Sequence, residues 1–301
     1  MKILTKTTRR YQNVRIDSNE DEMIGNEAVK LLKVLAPSLR ELRFLNTENV
    51  VVDSVYPFPH LQKLQFINNI SDVNDLLLQG STNLTELNLK HHYWAEPEKV
   101  ATCLRANKKL TMLKLWDTGI SKLFDIYKPN LFKFKLKRFA SGSDGDISKE
   151  AEENFFHFLD TQRESLEAIR IRAGLEEINE SLVNKIFQMS TLKIIHFDAM
   201  IDGMILDFKL EMNPKLIELR LPWNIETLER LKPFLLAAPN VETLFLKKVD
   251  KEILEYIALT MKQVLTLYYT RANACIDCFK KFLRVNEDAN KDLTILSKEW
   301  Y

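Results

Sequence analysis

Cys275-Ile276-Asp277-Cys278 has the spacing of half a tetrahedral zinc site, or of a dithiol that cycles to a disulfide. A structural zinc needs four ligands, and no second cysteine pair or suitably spaced histidine pair follows. A redox dithiol belongs at a helix start after a βαβ unit. The pair therefore reads as two small residues around the start of a late helix, and Cys103 as a core residue of an earlier one. His91, His92 and His196 are the next candidates, since an imidazole near neutrality moves protons. A general base needs a nucleophile or carboxylate converging on it, and no serine, cysteine or carboxylate pattern supplies that here. There is no Gly-rich phosphate loop, no Gly-x-Ser-x-Gly elbow and no paired-carboxylate motif. The expectation is a protein with no catalytic residues, no cofactor and no metal, whose histidines are contact surface.

What remains is ionic and aromatic contact, and its placement follows from a repeated phrase. An apolar residue followed by x-x-apolar-x-apolar occurs eleven times. The series begins with Tyr11-x-x-Val14-x-Ile16, Leu39-x-x-Leu42-x-Phe44, Leu61-x-x-Leu64-x-Phe66, Leu84-x-x-Leu87-x-Leu89, Leu110-x-x-Leu113-x-Leu115 and Leu131-x-x-Phe134-x-Leu136. Leu166, Leu192, Leu216, Val241 and Val264 open the other five. The steps between openers are 28, 22, 23, 26, 21, 35, 26, 24, 25 and 23 residues, averaging 25.3. A leucine-rich repeat with helices on its convex side has a period of about 20–29 residues. The spacing predicts an α/β leucine-rich-repeat solenoid of about eleven repeats, a curved horseshoe with a parallel sheet on the concave face and helices on the convex face. Helical spacing between phrases supports this at 97–104, 149–162 and 228–236, and Pro214-Lys215 and Pro239-Asn240 supply turns into the next strand.

Within each phrase the three fixed apolar residues point inward, and the third, fifth and seventh positions lie on the exposed side of the sheet. Of those 33 positions, twelve are basic and five acidic. The basic ones are Arg15, Arg43, Lys63, Lys90, Lys114, Lys133, Lys135, Lys137, Arg170, Arg172, Arg220 and Lys247, and the acids are Asp17, Glu41, Glu86, Asp198 and Glu218. Lys114, Lys133, Lys135, Lys137, Arg138, Arg170 and Arg172 form the densest run, flanked by Trp116, Trp223, Phe245, Tyr268 and Tyr269. Guanidinium and ammonium groups so arranged suit carboxylates or phosphates, and Trp and Arg dominate binding energy at protein interfaces. The bland reading is a solvated charged face whose lysine stems cover apolar surface. The functional reading assigns partner contacts to Arg43, Lys90, Lys114, Trp116, Lys133, Lys135, Lys137, Arg138, Arg170, Arg172, Arg220, Trp223 and Lys247, and predicts a protein partner with an acidic or phosphorylated surface. A near-neutral pI of 7.7, with 43 Lys and Arg against 42 Asp and Glu, points away from nucleic acid.

The whole chain, 1–301, reads as a single repeat domain with a lead-in at 1–10, a mobile loop at 141–148 around Gly142 and Gly145, and a terminal cap at 290–301 in which Trp300 and Tyr301 fold back on the last coil. The amino-terminal residues lack an apolar run of signal-peptide length, no uncharged stretch reaches 18 residues, and three cysteines suit a reducing compartment. These features predict a soluble protein of the cytoplasm or nucleus, with no membrane contact. Asn69, Asn83 and Asn179 head glycosylation triplets that read as chance matches.

Thr8-Arg9-Arg10-Tyr11-Gln12-Asn13-Val14-Arg15-Ile16 and Pro239-Asn240-Val241-Glu242-Thr243-Leu244-Phe245-Leu246 resemble the repeat region of F-box/leucine-rich-repeat proteins. The resemblance covers essentially the whole chain. It implies a substrate-binding part of an SCF-type ubiquitin ligase receptor. In that family an upstream F-box docks on the Skp adaptor, but no F-box with its Leu-Pro-x-Glu start precedes Tyr11. The chain then reads as a fragment or as a repeat-only relative, with the Skp adaptor a partner only if an F-box lies upstream. The alternative is a ribonuclease-inhibitor-like horseshoe that binds and regulates a folded enzyme.

Overall fold

In the computed structural model of the chain, the described residues are 11–17, 26–45, 57–67, 73–90, 97–116, 120–128, 131–143, 148–173, 179–198, 209–222, 224–272 and 294–297. They fall into two compact units, Met1–Gln162 and Arg163–Tyr301. The lead-in, the Cys275 and Cys278 pair, His91, His92, Trp223, Trp300 and Tyr301 lie outside the described residues.

The first unit contains β1 (Asn13–Asp17), α1 (Asn26–Leu35), β2 (Glu41–Leu45), β3 (Lys63–Ile67), α2 (Val73–Gly80), β4 (Glu86–Lys90), α3 (Pro97–Ala106), β5 (Met112–Trp116), α4 (Ile120–Asp125), β6 (Arg138–Ser143) and α5 (Lys149–Gln162). Each strand pairs in parallel with its predecessor, so Leu42, Leu64, Leu87, Leu113 and Phe139 stand side by side. The second unit contains β7 (Ala168–Ala173), α6 (Glu180–Phe187), β8 (Ile194–Phe197), β9 (Glu218–Arg220), α7 (Leu228–Ala237), β10 (Thr243–Val249), α8 (Lys251–Thr260), β11 (Thr266–Ala272) and β12 (Thr294–Ser297). It is paired in the same parallel, sequential way. The fold is the α/β leucine-rich-repeat solenoid expected from the period. β12 falls within the segment 290–301 that the sequence suggests as a terminal cap.

The reason these residues form strands is visible in their burial. Leu39, Leu42 and Phe44 are at most 1% exposed, as are Leu61, Leu64, Phe66, Leu84, Leu87 and Leu89, while the intervening positions face outward. Each buried side chain of this size contributes roughly 1.5–3 kcal/mol, and only stacked coils can bury it. The helices close the other side: α3 buries Val100, Ala101, Cys103 and Leu104, and α5 buries Phe155, Phe158 and Leu159. Caps fix where helices start. Asn179 Oδ1 accepts from Leu182 N (2.9 Å), Asp250 Oδ1 from Ile253 N (3.0 Å) and Ser148 Oγ from Ala151 N (3.0 Å).

One backbone device sets the step from coil to coil. The carbonyl of the second phrase residue accepts the amides of the second and third residues of the next phrase. Gln12 O takes Arg40 N and Glu41 N at 2.7 and 2.9 Å, and Thr85 O takes Thr111 N and Met112 N at 2.9 and 3.1 Å. In the second unit Lys193 O takes Ile217 N and Glu218 N at 2.9 and 3.0 Å. Buried polar side chains tie the preceding turns together. Asn107 Oδ1 accepts Leu84 N (2.6 Å) while its Nδ2 donates to Ser81 O (2.8 Å), and Asn213 Nδ2 donates to Leu192 O (3.1 Å).

The same bonds correct the sixth phrase. Thr111 O accepts Lys137 N and Arg138 N at 2.8 and 3.0 Å, and Gln162 Oε1 accepts Leu136 N at 2.8 Å. The opener is therefore Leu136, not Leu131, and the phrase runs Leu136-x-x-Phe139-x-Ser141, with Ser141 buried. Residues 131–135 precede the strand, and Phe132 and Phe134 turn into a ring cluster with Phe124, Tyr127, Phe139, Phe155 and Phe158. Ser141, Gly142 and Ser143, expected as the start of a mobile loop, are the second half of β6. Residues 144–147 lie outside the described ones, and Ser148 caps α5.

Candidate functional site

In the first unit the residues at outward positions of the strands are Asn13, Arg15 and Asp17; Glu41, Arg43 and Leu45; Lys63, Gln65 and Ile67; Glu86, Asn88 and Lys90; Met112, Lys114 and Trp116; and Arg138, Ala140 and Gly142, of which Ala140 and Gly142 are nonetheless buried. The described acids here are already engaged. Glu41 pairs with Arg43 on its own strand, and Glu86 pairs with Lys63 across the ladder at 2.8 Å. Asn88, between Gln65 and Lys114 in register, has a buried Oδ1 with no hydrogen-bond partner among the described residues.

The register correction redistributes the expected cations. Lys133 and Lys135 are exposed but lie in the segment before β6, and Lys135 Nζ donates to Thr161 O at 2.6 Å. Lys137 is the second residue of the phrase, where its amide sets the step. Arg138 takes the third position on β6 and is exposed. Lys90 and Trp116 end their strands as expected, though their side chains lie outside the described set.

The second unit gathers its outward residues into one connected group. The fifth positions of five strands form a row in register: Arg170, His196, Arg220, Phe245 and Tyr268. Asp198, just past β8, binds two guanidiniums at once: Arg170 through Oδ2, and Arg220 through Oδ1 at 2.9 Å. Next to this, His196 Nε2 lies 2.7 Å from Glu218 Oε1. That hydrogen bond, with help from the His196 and Arg220 charges, holds the Glu218 carboxyl below the usual glutamate range. Burial pulls Arg220 below the usual arginine value against the attraction of Asp198.

Aromatic rings complete the row. Arg220 lies over the Phe245 ring at 5.9 Å, and the His196 ring meets Phe245 edge-on at 5.9 Å. Phe245 stacks on Tyr268 with centroids 4.4 Å apart and planes 6° off parallel. Both rings are half-buried. Lys247 is half-buried on β10, and Arg172, the seventh residue of its phrase, is exposed on β7. Asp198 accepts from Arg170 and Arg220, and Arg172 has no ion-pair partner among the described residues. Tyr269, at a nominal core position, is half-buried.

This group joins ion pairs, an imidazole–carboxylate hydrogen bond and stacked rings in one connected set. Its carboxylates are already engaged, Asp198 by two guanidiniums and Glu218 by the His196 ring, so neither is free to act as a base. Cys103 is buried, and burial pushes its thiol up to about 12 despite the hydrogen bond from Asn107. Among the described residues no three His, Cys, Asp or Glu side chains converge as metal ligands, and no helix is long and apolar enough to cross a membrane. The sequence reading counted Asp198 and Glu218 only as a deficit of positive charge. Strand register would have placed them beside Arg170, Arg220 and His196.

No family model and no curated protein matches the chain. Among solved structures it is similar to an internalin from Listeria monocytogenes str. 4b F2365, with 14% identity over 96% of this chain and 87% of that one and a TM-score of 0.46. It is also similar to a Bacteroides fragilis protein (10% identity, 88% and 68% covered, TM-score 0.31) and to a leucine-rich-repeat protein of Leptospira interrogans (15% identity, 95% and 89% covered, TM-score 0.28).

Proposed function

We propose that this protein is a non-enzymatic recognition module that holds an acidic or phosphorylated protein segment on the outward sheet face of its second unit. The observation that supports the reading is the register row Arg170, His196, Arg220, Phe245 and Tyr268. It combines ordered guanidiniums with a rigid aromatic pair on strands that cannot move independently. Interfaces draw most of their energy from such residue types held in place. An excess of positive charge supports an anionic partner: Arg170, Arg172 and Arg220 stand on this face against the two carboxylates of Asp198 and Glu218.

The test is affinity capture from cells with the wild-type chain, with a face variant carrying Arg172→Ser, Phe245→Ala and Tyr268→Ala, and with Lys262→Ser as a control away from the face. Partners held by the wild type and the control but absent from the face variant are the expected result, with capture weakening as salt rises. Retention of every partner by the face variant would overturn the reading. The resemblance to F-box relatives extends the proposal to a ubiquitin-ligase substrate receptor, which repeating the capture with any natural upstream sequence attached, scored for the Skp adaptor, tests.

A further inference from the structure

Resting on that reading, we infer that the second unit reads spacing: it selects an extended segment with a phosphate or carboxylate side chain at one point and an apolar side chain about five residues away. The two anchors are separate on the sheet. Arg172, the seventh residue of its phrase, lies on β7, exposed and without an ion-pair partner among the described residues, whereas Asp198, one residue past β8, is occupied by Arg170 and Arg220. Phe245 and Tyr268 sit at the fifth positions of β10 and β11.

Between them the carboxylates of Asp198 and Glu218 disfavour a second acid. Each is already bonded to a cation or to His196, so neither offers a strong contact of its own. The anion is therefore held at the Arg172 end and the apolar group at the ring end, where the stacked pair is half-buried.

Strand geometry turns this into a length. Three strand steps at about 4.8 Å each, offset by two residues along the strand, separate Arg172 from Phe245 by about 16 Å. An extended chain advances about 3.3 Å per residue, so about five residues span the gap. The phosphate and the carboxylate share the chemistry that Arg172 recognises. A phosphate carries more charge and a third oxygen, and is the tighter of the two.

The experiment titrates the whole chain with fluorescent peptides built on neutral Gly/Ser spacers. Each peptide has one phosphoserine and one leucine separated by one, four or nine residues, and parallel sets carry glutamate or serine in place of phosphoserine. The four-residue spacer should bind roughly tenfold more tightly than the other two, with phosphoserine above glutamate and serine weakest. Arg172→Ser should remove the preference for phosphoserine over serine and leave the leucine dependence, whereas Phe245→Ala should do the converse. Equal binding at all three spacers, or binding undetectable at millimolar peptide, overturns the inference. Tighter binding of single-stranded oligothymidylate than of any peptide overturns it in favour of nucleic acid. If the face variant still loses its cellular partners while the spacers bind alike, the spacing inference fails and the recognition reading stands.

Discussion

In the first unit the large aromatic rings are inside. Phe158 meets Phe124, Tyr127, Phe132, Phe134, Phe139 and Phe155 within 6.5 Å, and apart from Trp116 the outward positions of β1–β6 carry no aromatic residue. In the second unit Phe187 and Phe234 still meet inside at 5.9 Å, but Phe245 and Tyr268 are turned outward and stacked. The same strand register thus receives bulk on opposite sides. The inward rings come from both sides of Leu136, where the 30-residue coil that runs to Leu166 begins. The outward rings touch only across the face of the sheet, Phe245 stacking on Tyr268 of the next strand.

The largest expected effect breaks this contrast at its inner end. Phe158→Ala should cost about 3–5 kcal/mol in chemical denaturation, because a ring is removed from among six others. Phe245→Ala should cost about 1 kcal/mol or less, since its ring is half-exposed. Equal losses would mean that the outward pair is structural after all.

A smaller effect is expected at the charges. Asp198→Asn leaves Arg170 and Arg220 without their shared carboxylate and should cost about 1–3 kcal/mol. The matching change in the first unit, Glu41→Gln, removes an exposed pair with Arg43 and should cost about 0.5 kcal/mol or less. If the two losses are alike, the second unit's network is no more than a surface pair.

The smallest effect is in pH dependence. Because the folded-state pKa of Glu218 is depressed by His196, its stabilising contribution is present above the usual glutamate range and is lost as pH falls through the lowered value. Glu218→Gln should therefore be less stable than wild type by under about 1 kcal/mol near neutrality, and the gap should close on acidification. A gap that widens in acid would contradict the assignment of His196 as the group that lowers it.

Much of this was legible in the residues. The apolar phrase located ten of the eleven openers, and helical spacing located α3, α5 and α7. The sixth phrase misled because Leu131-x-x-Phe134-x-Leu136 satisfies the apolar pattern while the true strand places Ser141 where a leucine is expected. What decides the register is hydrogen bonding by Thr111 O and by Gln162, a polar residue in the core that apolar periodicity cannot register. Three lysines moved off the strand as a result, and Arg138 moved onto it. On the second unit's face the residues were legible but their pairing was not, because pairing depends on which residues stand opposite one another in the folded ladder.

The doubly accepting carbonyl described above has an evolutionary corollary. It is a main-chain group, and the residues that carry it include Gln12, Arg40, Thr85, Glu167, Lys193 and Ile217, with side chains of every class. The ruler that spaces the array is thus indifferent to side-chain identity, and these positions can drift freely in descendants without altering the skeleton. The exception is proline, which has no amide hydrogen to give. None of the second or third positions in the phrases from Leu39 to Val264 holds one. Selection at these sites reads a missing N–H and little else.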